Sequence, residues 1–348
     1  MAGRRPHSRS AGGQLTRRGL LSAGGALAIG ALTAGCGDSG NDEPAGGGDP
    51  DGWSFTDDRG ETATAAETPQ RVVAYVGSAA ALHDFGVTDQ VVGVFGPTGD
   101  DQNGRDPLAG ELELDRLTVL GQNWGEFNLE AYLALDPQLL VTDVWQGDDL
   151  WYVPDESADE ILSQAPSAGI RVAHVSLLDP ITRYAQLAES LGADLSDPLV
   201  TDAQARFDEA AEAVREAAAD NPGLRVLAAS ASPDLFYVSD PSVYPDLSFF
   251  AELGVELVVP DQVDAGGFFE PLSWENSDKY PADLVLLDSR TVALQPEQLT
   301  DLPGWGDLPA VTAAQVTPWL SEPRFSYAGC APLLTALADA IRTARPVA

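Results

Sequence analysis

Seven Trp and eight Tyr are spread along the 348 residues, and several stand where a small molecule could meet them. The run Trp145-Gln146-Gly147-Asp148-Asp149-Leu150-Trp151-Tyr152 sets three rings among Gly and Asp, where a packing role is less automatic. Trp124 stands in a similar loop, and Tyr75 closes a β-branched run. Tyr237, Trp319, Arg324 and Tyr327 hold comparable places further along. Small-molecule sites combine apolar, often aromatic walls with a few convergent polar groups. These nine are therefore candidate ligand-binding residues, each aromatic being equally readable as core filler. The Arg324 guanidinium fork suits carboxylate or hydroxamate oxygens; it equally suits an ion pair with one of the many acids.

Signals for catalysis or for a resident metal are absent. There is no Gly-x-Ser-x-Gly elbow, Walker loop or dinucleotide fingerprint, so no catalytic residue is assigned and no enzyme is expected. Beyond residue 35 only His83 and His174 remain. Neither clusters with acids as zinc or manganese ligands do. His83 falls in a predicted helix and His174 in an apolar strand, and both are read as structural. No cofactor is expected; a Tyr can ligate haem iron, but nothing specific marks one here. Of the two Cys, Cys330 reads as a buried structural thiol. With Cys36 otherwise assigned, no intramolecular disulfide is expected.

Cys36 ends the segment Leu32-Thr33-Ala34-Gly35-Cys36, which resembles a bacterial lipobox. Before it come Arg4, Arg5, Arg9, Arg17 and Arg18, then a short apolar run from Leu20 to Leu32. That is the layout of an export signal over residues 1–35, and the run is short of the ~20 apolar residues of a membrane span. Thr16-Arg17-Arg18-Gly19-Leu20-Leu21 resembles a twin-arginine signal. Residues 36–52, rich in Gly, Asp, Asn and Pro, read as a flexible tether. The chain carries a formal charge of −35; removing the five Arg of the signal leaves 14 basic against 54 acidic residues, or −40. Such a balance argues against nucleic acid, which needs a basic face, and against lying flat on anionic lipid.

Two sets of elements must position these residues. Arg71–Val76, Val91–Phe95, Thr118–Leu120, Leu139–Val144 and Arg171–Ser176 read as strands. Between them Ala79–Phe85, Leu129–Ala134 and Ser157–Gln164 read as helices, with Gly86 and Gly169 as C-terminal caps. A second set repeats the alternation. Its strands are Arg225–Ala231, Phe236–Ser239, Val255–Val259, Leu284–Asp288 and Val311–Thr317; its helices are Leu247–Leu253, Trp274–Tyr280 and Ala331–Ala344. Alternation of this kind predicts parallel α/β layers, and roughly 300 residues exceed one ordinary core. The expected division is an N-terminal lobe at 53–178, an interlobe helical region at 179–222 and a C-terminal lobe at 223–348. Within the middle part, Ala203, Phe207, Ala210, Val214 and Ala217 keep helical spacing from Leu199 to Asp220. A helix joining two lobes resists hinge closure, so little lobe movement on binding is expected.

The order Phe55-Thr56-Asp57-Asp58-Arg59-Gly60, Pro69-Gln70-Arg71-Val72-Val73-Ala74, Gly121-Gln122-Asn123-Trp124, Asn128-Leu129-Glu130, Leu135-Asp136-Pro137 and Leu272-Ser273-Trp274-Glu275 resembles the substrate-binding proteins of iron–siderophore and cobalamin importers, over roughly residues 53–345. The resemblance implies two Rossmann-like α/β lobes joined by one long helix, with a ligand cleft between the lobes. It implies capture of an iron(III)–siderophore, or of cobalamin or haem in the same fold, for an ABC permease with its ATPase. Iron would then arrive only as part of the chelate, and the protein would be a monomer held to the membrane by its lipid. It also places one permease-docking Glu on each lobe, here Glu130 and Glu275; an ordinary first-turn acid is favoured at both places by the helix dipole. A lipid-anchored extracellular hydrolase is the alternative of another class, and needs a nucleophile–base pair in the cleft.

Overall fold

The structure is a computed structural model, and it describes residues 52–100 and 104–348. The export signal, the lipobox with Cys36 and the tether up to residue 51 lie outside the described residues. The described residues belong to one compact unit.

The first sheet is built from apolar runs. Its strands are β1 (Val72–Tyr75), β2 (Val91–Phe95), β3 (Thr118–Val119), β4 (Leu139–Val144) and β5 (Ser167–Arg171). Every residue of β1 and β4 is buried, as expected of central parallel strands covered on both faces. The order is β3-β2-β1-β4-β5, all parallel. Helix α1 (Val76–Asp84) leaves β1 directly and α2 (Leu129–Ala134) precedes β4. Helix α3 (Leu178–Ser190), at the start of the stretch expected to be an interlobe helical region, packs on α1 and the β5 side of this sheet.

Beyond it, α4 (Pro198–Asp220) opens with Asp197, whose carboxylate accepts the Leu199 N–H at 2.8 Å. Its 23 residues span about 35 Å at 1.5 Å each. Its buried stripe holds Ala203, Phe207, Ala210, Val214 and Ala217, as the spacing predicts, and extends to Val200 and Ala211.

The second sheet comprises β6 (Arg225–Ala231), β7 (Leu235–Ser239), β8 (Phe269–Ser273), β9 (Leu284–Asp288) and β10 (Val316–Trp319), in the order β8-β7-β6-β9-β10. Strands β6, β9 and β10 are parallel, whereas β7 and β8 run antiparallel to their neighbours. Helix α5 (Pro245–Glu252) follows β7. The last helix, α6 (Tyr327–Thr343), lies along α4. One apolar core runs from the first sheet through α4 and α6 into the second sheet. A smaller one lies around Phe236, Trp274 and Trp305.

Six expectations are corrected. The strand expected at Arg171–Ser176 is β5 at Ser167–Arg171, and Gly169 is inside it rather than capping a helix. A methyl group on Gly169 would come within 2.8 Å of Val144 Cγ2 and 2.9 Å of Arg59 Nε. Its N–H donates to Asp57 Oδ2 at 2.8 Å, so the glycine admits the hairpin Trp53–Thr56/Thr62–Ala65 to this edge. His174 is not in a strand: it turns the chain at φ +59°, and its N–H donates to Val243 O at 3.0 Å. The helix expected at Trp274–Tyr280 is only a 3₁₀ turn, Trp274–Asn276. Lys279 and Tyr280 are drawn instead to Glu270, each at 2.5 Å. The strand expected at Val311–Thr317 divides into a helical turn Pro309–Thr312 and β10, with Ala314 at φ +56° between them. Val255–Val259 pairs only at Glu256–Leu257.

Candidate functional site

In an open parallel sheet, ligands bind beyond the carboxyl ends of the strands, where the strand order reverses. In the first sheet that point lies between β1 and β4. Tyr75 ends β1, and Trp145 follows β4. The Tyr75 ring stacks on Tyr152 at 5.2 Å; Trp124 meets Trp151 at 4.7 Å and Tyr152 at 5.1 Å; Trp145 meets Trp151 at 5.8 Å. All five rings predicted from this half of the chain therefore come together. Tyr75 and Trp145 are buried, Trp151 and Tyr152 half-buried, and Trp124 is 63% exposed. Tyr152 adopts φ +61°, so the turn that presents it is held by its neighbours.

The second sheet also presents carboxyl ends. Asp288 ends β9 with Arg290 two residues on, Glu322 follows β10, and Tyr244 and Phe268 approach from the loops around α5 and β8. Tyr244 and Phe268 lie 5.9 and 6.2 Å from the Trp145 ring. Glu322 joins the two halves. Its Oε2 accepts Tyr75 O–H at 2.9 Å and Trp151 Nε1–H at 3.1 Å, while Oε1 pairs with Arg290 Nη1. Arg290 also grips Asp288, Nη2 to Oδ2 at 2.7 Å, and Asp288 accepts Ser230 and Ser321 hydroxyls at 2.9 and 3.2 Å. A second tie is Thr291 Oγ1–H to Asp106 Oδ2, 2.9 Å.

The electrostatics follow from this burial. Burial and then Glu322 push the Tyr75 hydroxyl well above its ordinary pKa, and Tyr152 up to about 12. Burial would lower Arg290, but Glu322 and Asp288 more than offset it and hold it well above its usual value. Beneath the rings, Asp143 accepts from Tyr184 O–H, with Ser78 Oγ at 3.4 Å. Burial raises its carboxyl to about 7, against the lowering Tyr184 bond.

Four predicted residues have other partners. Tyr237 packs on Phe269 at 4.8 Å, with its oxygen 3.2 Å from Ser232 Oγ. Trp319 is buried, donates to Asp246 Oδ2 at 2.6 Å and backs Tyr244 at 5.2 Å. Arg324 is ion-paired to Asp84, Nε to Oδ2 at 3.3 Å. Tyr327 packs between Phe85 and Phe207, on α6. The residues that sequence reasoning missed are Tyr244, Phe268, Arg290 and Glu322. Arg290 was within reach of the strand-end rule, since Leu284–Asp288 was recognised as a strand.

Glu130 and Glu275 are both exposed. Glu130 stands in the first turn of α2, behind the Asn128 cap; Glu275 stands in the 3₁₀ turn after β8. Cys330 is a buried free thiol, pushed up by burial. Among the described residues no group of His, Cys, Asp and Glu could hold a metal ion, and no helix is long and apolar enough to cross a membrane. A recess of about 550 Å³ lined by His83, Asp89, Leu112, Arg116 and Leu135 lies at the β2–β3 edge and includes none of the clustered rings.

Among solved structures, the chain is similar to DesE, a ferric-siderophore receptor protein from Streptomyces coelicolor. Identity is 48%, over 85% of this chain and 100% of that one, with a TM-score of 0.81. It shares its fold with the petrobactin-binding protein YclQ from Bacillus subtilis (17% identity, 84% and 99% covered, TM-score 0.62). It shares it also with a variant of the heme binding protein HmuT (18%, 87% and 92%, 0.61). None of the curated proteins compared matches the chain. Two α/β sheets, a long helix between them in the chain and a cluster of rings at their strand ends agree with the match of residues 72–322 to the periplasmic binding protein model, and the chain belongs to that family.

Proposed function

We propose that this protein is the extracytoplasmic substrate-binding lipoprotein of an ABC importer, and that it captures an iron(III)–siderophore between its lobes. The observation that carries the reading is the convergence of Tyr75, Trp124, Trp145, Trp151 and Tyr152 with Tyr244 and Phe268 across the strand ends of two sheets. Similarity to a ferric-siderophore receptor over that whole receptor chain supports the ligand class. A chelate supplies its own ligands to iron, in keeping with a wall of rings and few charges. Cys36 would carry the lipid, while Glu130 and Glu275 would meet basic residues of the permease.

Capture needs no reacting group. Exposed Trp124 and half-buried Trp151 and Tyr152 form a face on which the organic shell of a chelate would be desolvated. Arg290 and Glu322 supply one cation and one acceptor at its floor. They are bonded to each other here, so a ligand reaching that depth must exchange partners with them. The experiment is a tryptophan-quenching titration of the purified full chain with ferrichrome, ferrioxamine, ferric enterobactin, ferric citrate, cyanocobalamin and haemin. Saturable quenching by at least one ferric siderophore is expected. Quenching by haemin or cyanocobalamin alone would move the assignment to that ligand.

A further inference from the structure

The indole N–H of Trp145 has no hydrogen-bond partner among the described residues, although the residue is only 3% exposed. Trp53, Trp151, Trp274 and Trp319 all donate, to Ser190, Glu322, Ser232 and Asp246 respectively. More than nine in ten buried polar groups in native proteins are paired, and an unpaired donor is costly to keep. This one stands immediately after β4, at the strand-order reversal where ligands bind. A buried water needs two to four polar partners. Of the four rings on the indole, Phe268 and Phe325 offer none, the Trp151 N–H is engaged by Glu322 and the Tyr244 hydroxyl is engaged by Ser239.

Phe268 is the cover most able to move. It is half-buried and ends the turn 264–268, where its N–H donates to Asp264 Oδ1 at 3.1 Å. Gly267, at φ +82°, has open space where a side chain would stand. The tie from this turn to the Trp145 loop is Gln146 Nε2–H to Gly266 O, 2.7 Å. The Phe268 carbonyl accepts the Asp240 N–H at 2.9 Å and so fixes the backbone to the end of β7; the half-buried ring can swing aside on this backbone without disturbing either sheet.

We propose that Trp145 donates its indole N–H to an oxygen of the bound ligand, at a subsite uncovered when the Phe268 ring swings aside. The subsite takes a ligand with carbonyl or oxyanion oxygens at its rim, as hydroxamate and carboxylate chelates have. This inference rests on the functional reading above.

Trp145→Phe keeps a ring and removes the donor. Titrated with whichever of ferrichrome and ferrioxamine the wild-type protein binds more tightly, the variant should lose about ten- to a hundredfold in affinity. On the wild type, indole ¹⁵N NMR with the gallium(III) form of the same siderophore should move the Trp145 proton downfield. That measurement stands even if the variant does not fold. Equal affinity of variant and wild type, or an unmoved Trp145 resonance at saturation, overturns the role of Trp145 and leaves the functional reading intact. A wild-type protein that binds no ferric siderophore overturns both.

Discussion

Replacing Asp143 by Asn should stabilise the protein at pH 8 and do little at pH 4.5. Asp143 is fully buried below the ring cluster, held by Tyr184 and Ser78. Burial raises its carboxyl from 3.8 to about 7. Below pH 4 folded and unfolded chains both hold the proton, so the group contributes nothing to the pH dependence. As pH climbs from about 4 to 7 the unfolded chain releases its proton while the folded chain keeps it. Stability therefore falls across that window, by 1.36 kcal/mol per unit and so by roughly 4 kcal/mol at most. Asn has no such proton, and its amide oxygen can still accept from Tyr184. Urea unfolding followed by tryptophan fluorescence at both pH values should show a gain of about 2–4 kcal/mol at pH 8. Equal effects at the two pH values, or a loss at pH 8, would refute the assignment of a proton-holding carboxyl.

Glu322→Gln keeps the shape of the lobe-bridging side chain but removes its charge from three bonds, to Tyr75, Trp151 and Arg290. A loss of about 2–3 kcal/mol, read as a Tm lower by about 5 °C, is expected; an unchanged Tm would mean that the carboxylate does not tie the lobes. Glu130→Ala combined with Glu275→Ala should leave siderophore affinity intact and stop uptake in cells, and normal transport would remove both residues from the docking role. The body's radius of gyration, about 19 Å for its length, should change by less than about 1 Å on binding. Small-angle scattering that shows a larger change would contradict a stiff α4.

The half of the candidate site whose rings sequence reasoning picks out belongs to the parallel sheet. There, short apolar runs set strand ends within a residue or two, as at Val91–Phe95 and Leu139–Val144, and the ring-bearing loops follow directly. In the second sheet β8 was missed, because Phe269-Glu270-Pro271-Leu272-Ser273 carries a proline and only two buried positions; its pairing comes from β7, thirty residues earlier. Without β8 the place of Phe268 could not be seen. Trp319 and Tyr327 met the same local criteria as Trp151, yet Trp319 is claimed by buried Asp246 and Tyr327 by Phe85 and Phe207. Ring type and loop position select candidates; which ring faces the gap is decided by partners distant in the chain, as Tyr75 and Glu322 are, 247 residues apart.

The same long-range ties bear on how much the fold would have to move to admit a ligand at the rings. Helices α4 and α6 and the continuous core between them fix the two sheets. Across the gap, by contrast, the halves meet through a few side-chain bonds, chiefly those of Glu322, Asp106 and Gln146. Each of these can be exchanged for a bond to a ligand at a cost of about 1 kcal/mol or less when the partner is replaced rather than lost. If a ligand binds at the rings, rearrangement should therefore be confined to side chains, and binding energy should go into desolvating rings instead of into closing domains.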